Sequence, residues 1–252
     1  MSSNALYTDL SCYYDLMCCD IDYQQQSKGI DRLAQLFGNG GNQHLDLACG
    51  TGPHVRHFID LGYLSGGLDI NQPMLDIARR RCPEAHFSLQ DMAAFCLEQS
   101  VDLITCFLYS IHYSAGIQAL EACIASAHRA LNAGGLFCFN SVDKHKINNK
   151  ASVRHSAEFE DSRFVFESGW HYCGEGEQQS LNLSIAKTRD QVTEQWQDTH
   201  AMVATGFSEL QALLAPYFEV QIFEHDYQRI VPWGAELGGE RSGNALFVCT
   251  KI

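Results

Sequence analysis

The sequence is poor in basic side chains. It has 17 Lys and Arg against 30 Asp and Glu, which gives a formal net charge of −13 at pH 7. This balance argues against a polyanionic partner such as nucleic acid or an acidic membrane surface. No apolar run reaches the ~18 residues that a membrane-spanning helix needs, and the first residues lack the basic and apolar regions of a signal peptide. We therefore expect a cytoplasmic protein without a membrane or nucleic-acid partner.

Closely spaced cysteine pairs are also missing. The chain has 11 cysteines but no C-x-x-C, and Cys18 and Cys19 are adjacent, so their spacing offers no zinc site. In a chain without a signal peptide, these cysteines are best interpreted as reduced thiols. His54 and His57 stand three residues apart but have no third ligand nearby. No metal site is predicted.

Strands and helices alternate through the first 140 residues, which predicts a parallel sheet covered by helices. Helices are expected over residues 4–19, 25–37, 53–61 and 117–131, and in a further segment that starts after Asn71. Strands are expected at 44–48, 64–70, 85–89, 101–108 and 136–140, with later strands at 218–226 and 245–251 after a helix at 208–214. The predicted fold class is α/β, with a doubly wound, mostly parallel sheet of seven strands.

The pattern changes after Asp143. Residues 155–205 are rich in alternating apolar and polar positions, with strands expected at 159–167, 170–172, 180–187 and 192–203. This pattern predicts an inserted antiparallel layer over one side of the main sheet. The predicted domains are a cofactor-binding core of residues 1–145 and 205–252 with an N-terminal helical lid, and an inserted layer of residues 146–204 for substrate or dimer contacts.

The stretch Leu45–Gly52, with sequence LDLACGTG, predicts a buried strand, a glycine turn and a helix start at Pro53. A dinucleotide site would have a third glycine where Val55 stands, and its pyrophosphate would be repelled by Asp46 at the strand end. A ligand with an ammonium group and no phosphate fits better, because the carboxylate can pair with the ammonium. S-adenosylmethionine is such a ligand.

Two more carboxylates follow the next predicted strands. Asp69 ends the second strand and can accept hydrogen bonds from both ribose hydroxyls. Asp91 and Met92 follow the third strand, where the acid can accept from the adenine amino group while Met92 packs on the ring. The alternatives are that Asp69 caps the next helix and Asp91 a turn. The predicted cofactor-binding residues in this part of the chain are Asp46, Ala48, Gly50, Gly52, Asp69, Ile70, Met74, Asp91, Met92 and Phe107.

The motifs LDLACGTG, GLDI and QDM resemble the class I S-adenosylmethionine-dependent methyltransferases, over residues 30–140 and 205–252. The inserted β layer resembles that of small-molecule N-methyltransferases, such as amino-sugar N,N-dimethyltransferases and glycine/sarcosine methyltransferases. A resemblance over nearly the whole chain is to the methyltransferase of ovothiol biosynthesis, carried by YYDLMCCDIDY, HLDLACGTGPHVRHFID, GLDINQPMLD, DLITCFLYSIHYS, GEGEQQSL and PYFEVQIFEHDY.

The ovothiol resemblance implies N-methylation of a 5-thiohistidine imidazole, with S-adenosylhomocysteine as the second product. In many bacteria the related unit is the C-terminal domain of a sulfoxide synthase, so a separate sulfoxide synthase is an expected partner. The alternatives are an amine, amino-sugar or glycine-type N-methyltransferase, and a catalytically silent cofactor-binding module. In related enzymes the N-terminal segment folds over the cofactor, which assigns Tyr14 to cofactor binding.

Polar-tipped aromatic residues follow the fourth strand, at the edge where a doubly wound sheet binds ligands. His112 is a candidate proton acceptor because its ordinary pKa of ~6.5 lies near working pH. Tyr109 and Tyr113 are candidates to orient the acceptor nitrogen. The alternative is that His112 is a packed or capping residue and both tyrosines belong to the core.

Three residues are predicted to bind the small-molecule substrate. Asn140 ends the fifth strand, Trp170 can supply an aromatic wall, and Arg229 can bind a carboxylate in a bidentate manner. The alternative for Arg229 is a surface ion pair with Glu224 or Asp226. The protein is expected to be a monomer or a homodimer.

Overall fold

Strands and helices alternate over the first 142 residues of the computed structural model, which describes residues 5–7, 10–235 and 243–252. The elements are α1 (Tyr14–Met17), α2 (Tyr23–Phe37), β1 (Gln43–Leu47), α3 (Pro53–Asp60), β2 (Leu64–Asp69), α4 (Gln72–Arg81), β3 (Phe87–Leu89), β4 (Val101–Cys106), α5 (Ile117–Ala130) and β5 (Leu131–Val142). Short 3₁₀ turns cover Ala5–Tyr7, Ser11–Tyr13 and Ser110–Tyr113.

A second, antiparallel sheet follows β5. It consists of β6 (Val153–Phe159), β7 (Ser162–Tyr172), β8 (Gln178–Arg189) and β9 (Val192–Val203), paired in chain order. The chain then returns to the main sheet through α6 (Phe207–Leu214), β10 (Phe218–Glu224) and β11 (Asn244–Lys251).

The main sheet has seven strands in the order β10-β11-β5-β4-β1-β2-β3. β1 pairs in parallel with both β2 and β4, and only β11 runs antiparallel to its two neighbours. The strand order reverses between β1 and β4, so a crevice opens there beyond the carboxyl ends of the strands. The predicted fold class, including the antiparallel layer and the closing pair β10 and β11, is confirmed.

Several element boundaries differ from those predicted. The expected N-terminal helix is divided into two 3₁₀ turns and α1, with residues 4, 8 and 9 outside the described part. β4 ends at Cys106 rather than at residue 108, because Leu108 and Tyr109 adopt φ values of +53° and +62°, which an extended strand cannot hold. β5 begins at Leu131 and includes the residues expected to end α5.

Hairpin turns caused the errors in the second sheet. The strand predicted over 159–167 crosses a tight turn at Glu160 and Asp161, whose φ values are +46° and +57°. Asp190 and Gln191 form a similar turn between β8 and β9, with φ values of +49° and +65°. Two consecutive residues with positive φ form the turn that best matches the twist of a two-residue hairpin. Asp and Asn adopt it more readily than most residues.

The core lies on both faces of the main sheet and extends into the second sheet. On one face α5 and α6 cover Phe137, Phe139 and Phe247, all of which are fully buried. On the other face α2 and α3 pack Ile30 and Phe58 against the strands. No helix in the described ranges combines the length and apolarity needed to cross a bilayer.

The N-terminal segment, defined here as described residues 5–7 and 10–17, packs on the second sheet. Leu6 is 2% exposed and belongs to a cluster with Phe164, Phe166, Leu183 and Ile185. The segment therefore lies between the inserted layer and the crevice of the main sheet.

Candidate active site

A cavity of about 300 Å³ occupies the crevice beyond the carboxyl ends of β1, β2 and β4. Seven parts of the chain contribute to its wall: the N-terminal segment, the turn of residues 48–52 after β1 (the glycine corner), the end of β2, the start of α4, the turn after β3, the segment after β4 and α5. Its lining includes Tyr7, Tyr14, Ala48, Gly50, Asp69, Ile70, Asn71, Met74, Gln90, Asp91, Met92, Leu108, Ser110, Tyr113 and Ser114. The cavity thus collects eight of the eleven predicted cofactor-binding residues.

The glycine corner brings backbone close to this cavity. Ala48 has φ +51° and Gly50 has φ +53°, and both line the cavity. A Cβ atom on Gly50 would lie 3.8 Å from the Tyr14 ring. Ala48 holds a conformation that L-residues rarely adopt, which is a form of strain found at binding sites. The corner therefore presents main-chain atoms, rather than side chains, to a ligand.

Gly52 and Phe107 do not line this cavity, contrary to the prediction that they bind the cofactor. Gly52 caps α3 with φ +78°, and a Cβ atom there would lie 3.1 Å from that of Ala78. Phe107 is 4% exposed and lines a small separate cavity with His54. Both residues support the packing of α3 behind the corner.

Asp69 is held at the cavity wall by three donors. Its Oδ2 accepts from the Gly50 N–H at 2.9 Å, and its Oδ1 accepts from the Asn71 N–H at 2.8 Å and the Asn71 Nδ2 at 3.0 Å. Burial raises the pKa of Asp69, while these N–H donors oppose the rise. A carboxylate has about four acceptor positions, so Asp69 retains one of them, on Oδ2, for a ligand hydroxyl.

The residues predicted to bind adenine also lie at the cavity. Asp91 is exposed, and its Oδ1 accepts from the Ala93 N–H at 2.8 Å, so it both forms a turn and lines the cavity. Met92 and Met74 are 8% and 1% exposed and supply apolar wall, while Ile70 is 62% exposed at the mouth. Apolar walls with a carboxylate at one end match a purine carrying an amino group.

Asp46 lies behind the glycine corner and is 2% exposed. Its Oδ1 accepts from the Thr105 hydroxyl at 2.6 Å, and it lines the small cavity that shares Tyr14, Ala48, Leu108 and Ser110 with the main one. Burial raises the pKa of Asp46 to about 7, and the negative charge of Asp69 adds to the rise. A buried carboxyl of this kind is poised to gain from a cationic ligand group.

Tyr14 closes the main cavity from the N-terminal side. The segment is fastened to the glycine corner by Asp15, which accepts from the Thr51 hydroxyl at 2.6 Å and pairs with Arg81 at 2.5 Å. Tyr14 lines the cavity, and its contact with the cofactor stays a prediction.

His112 is not at the cavity, and the prediction that it is the proton acceptor is not supported by its surroundings. It is 1% exposed, its Nδ1 donates to the Val203 carbonyl at 2.9 Å, and its Nε2 accepts from the Val142 N–H at 3.1 Å. Burial lowers the pKa of His112 to about 4. Both ring nitrogens are thus used to join the segment after β4 to β5 and β9.

Tyr109, Asn140 and Trp170 lie together, but outside the lining of the main cavity. The Tyr109 N–H donates to Asn140 Oδ1 at 3.1 Å, and the Tyr109 and Trp170 rings pack edge-on at 5.7 Å between centroids. Asn140 Nδ2 also contacts His225 Nε2 at 3.3 Å. Since Leu108 and Ser110 on either side of Tyr109 line the cavity, this cluster lies directly behind its wall.

Tyr113 does line the cavity, as predicted for a residue near the acceptor. Its hydroxyl lies 2.6 Å from the Tyr7 hydroxyl and 2.6 Å from His200 Nδ1. His200 Nε2 in turn lies 3.2 Å from Asp198 Oδ2. The sequence did not point to Tyr7, His200 or Asp198. The last two belong to β9, which is distant in sequence from Tyr113 and carries no motif.

Arg229 is not at the cavity. Its Nε contacts Asp226 Oδ2 at 2.6 Å, and its side chain is 65% exposed. The structure thus contains the surface ion pair with Asp226, which was the alternative to carboxylate binding. Among the described residues that line the cavity there is no Lys or Arg.

One group of possible metal ligands occurs in the described part of the chain, although none was predicted. Cys19, Asp20 and His155 place one ligand atom each within 4.8 Å of one another. None of the three lines the main cavity. The ten cysteines with described side chains form no disulfide.

The fold is Rossmann-like, with a cavity beyond the carboxyl ends of its central strands. Residues 45–135 match the family described as methyltransferase domain. This part of the chain is therefore similar to the methyltransferase domains of that family.

Curated relatives are similar to this chain over part of its length. It is 36% identical over 103 residues to a dTDP-3-amino-3,6-dideoxy-alpha-D-glucopyranose N,N-dimethyltransferase of Streptomyces fradiae, covering 41% of this chain and 40% of the relative. It is 31% identical over 115 residues to a dTDP-3-amino-3,4,6-trideoxy-alpha-D-glucopyranose N,N-dimethyltransferase of Streptomyces venezuelae, covering 46% and 48%. The matched region thus spans less than half of these relatives.

Solved structures are similar over nearly the whole chain. Streptomyces venezuelae DesVI superposes with a TM-score of 0.82 at 22% identity, covering 97% of this chain and 99% of that structure. CalS10, an amino pentose methyltransferase from Micromonospora echinaspora, gives 0.77 at 17% identity, covering 97% and 96%. At this level of identity the likeness shows the fold, including the inserted sheet.

Proposed function

We propose that this protein N-methylates an amino sugar, with S-adenosylmethionine as the methyl donor. The observation that carries the substrate assignment is the chemistry of the cavity wall. Carboxylates and hydroxyls line it, and the described lining has no Lys or Arg. Such a wall suits a cationic amine on a polyhydroxylated molecule better than an anionic one. The curated relatives named for amino sugars support the same substrate class.

The cavity residues fit the cofactor. Asp69 has an acceptor position for a ribose hydroxyl, and Asp91 and Met92 suit adenine. Asp46 and Tyr14 lie where the amino-acid end would be held. When bound, S-adenosylmethionine supplies a methyl group on a sulfonium, which leaves as a neutral thioether. The protein's own task is to align an acceptor nitrogen and remove its proton.

The acceptor would occupy the end of the cavity near Tyr7, Ser110 and Tyr113. Their hydroxyls can hydrogen-bond both an amine and sugar hydroxyls. His200 of β9 lies behind this end, since the Tyr113 hydroxyl reaches its Nδ1 at 2.6 Å. We therefore assign residues 146–204 to the substrate side of the site.

The thiohistidine imidazole is the less supported acceptor. The relatives reported above are named for amino sugars and give no support to an ovothiol enzyme or to a sulfoxide synthase partner. An amino-acid acceptor also needs a partner for its carboxylate, and the residue expected to serve, Arg229, is paired with Asp226 outside the cavity.

A substrate panel tests the proposal. The protein is incubated with S-adenosylmethionine and, separately, dTDP-3-amino-3,6-dideoxyglucose, glucosamine, glycine and 5-thiohistidine, and methyl groups are counted by mass. We expect methylation of an amino sugar. Methylation of thiohistidine alone would show that the amino-sugar assignment is wrong. Calorimetric titration with S-adenosylhomocysteine and NAD gives a separate test, since only the former should bind.

A further inference from the structure

A chain of hydrogen bonds leads from the cavity into the inserted sheet. The Tyr7 and Tyr113 hydroxyls are 2.6 Å apart, Tyr113 Oη is 2.6 Å from His200 Nδ1, and His200 Nε2 is 3.2 Å from Asp198 Oδ2. Three separate parts of the chain supply these groups: the N-terminal segment, the segment after β4, and β9. Such a convergence of polar groups in a buried wall needs a reason, because each is costly to desolvate.

The carboxylate fixes the direction of every bond. Asp198, when ionised, only accepts, so His200 Nε2 carries the proton and His200 Nδ1 is an acceptor. Tyr113 must then donate to Nδ1, and Tyr7 must donate to Tyr113. The Tyr113 oxygen keeps one lone pair, and Tyr113 lines the cavity. An N–H donor in the cavity therefore meets an acceptor already connected to a base.

His200 is suited to take a proton. It is 1% exposed, and burial lowers its pKa while Asp198 opposes the change, so the imidazole is neutral near pH 7. Asp198 would stabilise the imidazolium that forms, as the carboxylate does in other His–Asp pairs. By contrast, His112 uses both nitrogens on backbone groups and cannot do this.

We propose that Tyr113, backed by His200 and Asp198, removes the proton from the ammonium group of the methyl acceptor. This inference rests on the proposed function. The N–H bond breaks and leaves its electron pair on nitrogen, while the proton joins the Tyr113 oxygen. The Tyr113 O–H proton passes to His200 Nδ1. The sum is one ammonium converted to an amine and one imidazole converted to an imidazolium.

Asp198 also gives this proton a path out. Its side chain is 15% exposed and lines a surface groove on the second sheet with Ser152, Glu167 and Asn182. The imidazolium can therefore lose its proton toward solvent outside the cavity, without opening the space that holds the substrate.

The test compares acceptors of different basicity. In His200→Asn the side-chain oxygen can accept the Tyr113 hydrogen bond but cannot take its proton. For an amino sugar, which is protonated near pH 7, kcat should fall about 100-fold, the scale of general-base catalysis. For an O-alkylhydroxylamine analogue, which is neutral at that pH, kcat should change little. A merely structural role for His200 would lower both rates alike.

Tyr172→Phe is the matched control. Tyr172 belongs to the same sheet, and its hydroxyl donates to the Gly176 carbonyl at 3.1 Å, away from the cavity. This variant should leave the rate ratio of the two acceptors unchanged. An equal loss of both rates in His200→Asn, or no loss with the amino sugar, would overturn the role of His200.

A second measurement does not depend on turnover. Nitrogen-15 NMR of the labelled protein should find His200 protonated on Nε2 and bare on Nδ1. Protonation on Nδ1 would overturn the chain whatever the substrate. If the wild-type protein methylates no amine, the proposed function itself fails. A wild-type protein that is active together with a fully active His200→Asn variant would reject the proton chain alone.

Discussion

The imidazole of His112 accepts the backbone N–H of Val142 at 3.1 Å through Nε2. Its other nitrogen, Nδ1, donates to the Val203 carbonyl. One side chain therefore joins the end of β5 in the main sheet, the end of β9 in the second sheet and the segment that forms the cavity wall. We therefore assign His112 a structural role, which is to connect the two sheets and the cavity wall.

Replacing His112 with Asn should lower stability rather than chemistry. Two buried backbone groups would lose their partner, at about 1–3 kcal/mol each. We expect the free energy of unfolding, measured in urea, to fall by about 2–4 kcal/mol. Affinity for S-adenosylhomocysteine should stay within a few-fold. His86→Asn, at an exposed position, serves as control. A stable variant with a large loss of kcat would contradict this prediction.

The same histidine predicts how stability depends on pH. Its pKa in the folded protein is about 4, below the ordinary value of 6.5, so the unfolded chain binds the proton first as pH falls. The contribution of His112 to the free energy of unfolding is therefore fully present above pH 6.5. It declines toward pH 4, by up to about 1.4 kcal/mol per pH unit. The difference between wild type and His112→Asn should therefore shrink on acidification. A difference that stays constant would show that His112 titrates normally.

Asp69→Ala should weaken cofactor binding. Removing a charged acceptor loses about 1.5–3 kcal/mol per hydrogen bond, or roughly 10- to 100-fold in the dissociation constant of S-adenosylhomocysteine. Calorimetry measures the change. Asp76→Ala is a suitable control, because Asp76 lies on α4, is half exposed and contacts Gln72 and Arg79 of its own helix. Equal affinities for both variants would exclude Asp69 from the site.

Asp46→Asn should separate stability from binding. The carboxyl has a pKa of about 7 in the folded protein against 3.8 ordinarily, so folding becomes less favourable as pH rises from about 4 to 7. The neutral amide of Asp46→Asn avoids the cost of burying this charge. The substitution should therefore stabilise the unliganded protein by up to about 4 kcal/mol at about pH 8, and by little near pH 4. If Asp46 pairs with the ligand ammonium, affinity should fall about tenfold. Unchanged affinity would remove Asp46 from that role.

Arg229→Gln should have little effect. A surface ion pair contributes about 0–1 kcal/mol, and Arg229 lies outside the cavity lining. We expect thermal stability, cofactor affinity and methyl transfer all near wild-type values. A rise in the KM of the acceptor by more than about tenfold, equivalent to 1.4 kcal/mol, would return Arg229 to the substrate site.

The cofactor half of the site was readable because its residues follow strands whose order the sequence reveals. Asp69 and Asp91 come directly after β2 and β3, and parallel strands bring their carboxyl ends to one edge. The residues proposed to contact the methyl acceptor could not be predicted in this way. Tyr113 and His200 are 87 positions apart, and they meet only because β9 packs against the turn after β4. No local pattern encodes that contact.

The surroundings of His112 were not predictable from the sequence for a related reason. A histidine after β4 is equally consistent with a base and with a buried connector, and the difference depends on which backbone groups happen to lie against it. The Val142 N–H and the Val203 carbonyl are these groups, and both residues belong to later strands. Positive φ at Leu108 and Tyr109, which aims the segment, was likewise invisible in the sequence.

The N-terminal segment has a kinetic consequence. Tyr7 and Tyr14 form part of the cavity wall, while Leu6 of the same segment is buried among Phe164, Phe166, Leu183 and Ile185. A ligand the size of S-adenosylhomocysteine must displace this wall to leave, and displacing it pulls an anchor from an apolar core. We expect this displacement to slow product departure, as in many enzymes with closing segments. The segment that closes the site around the acceptor would then also control how fast the product leaves.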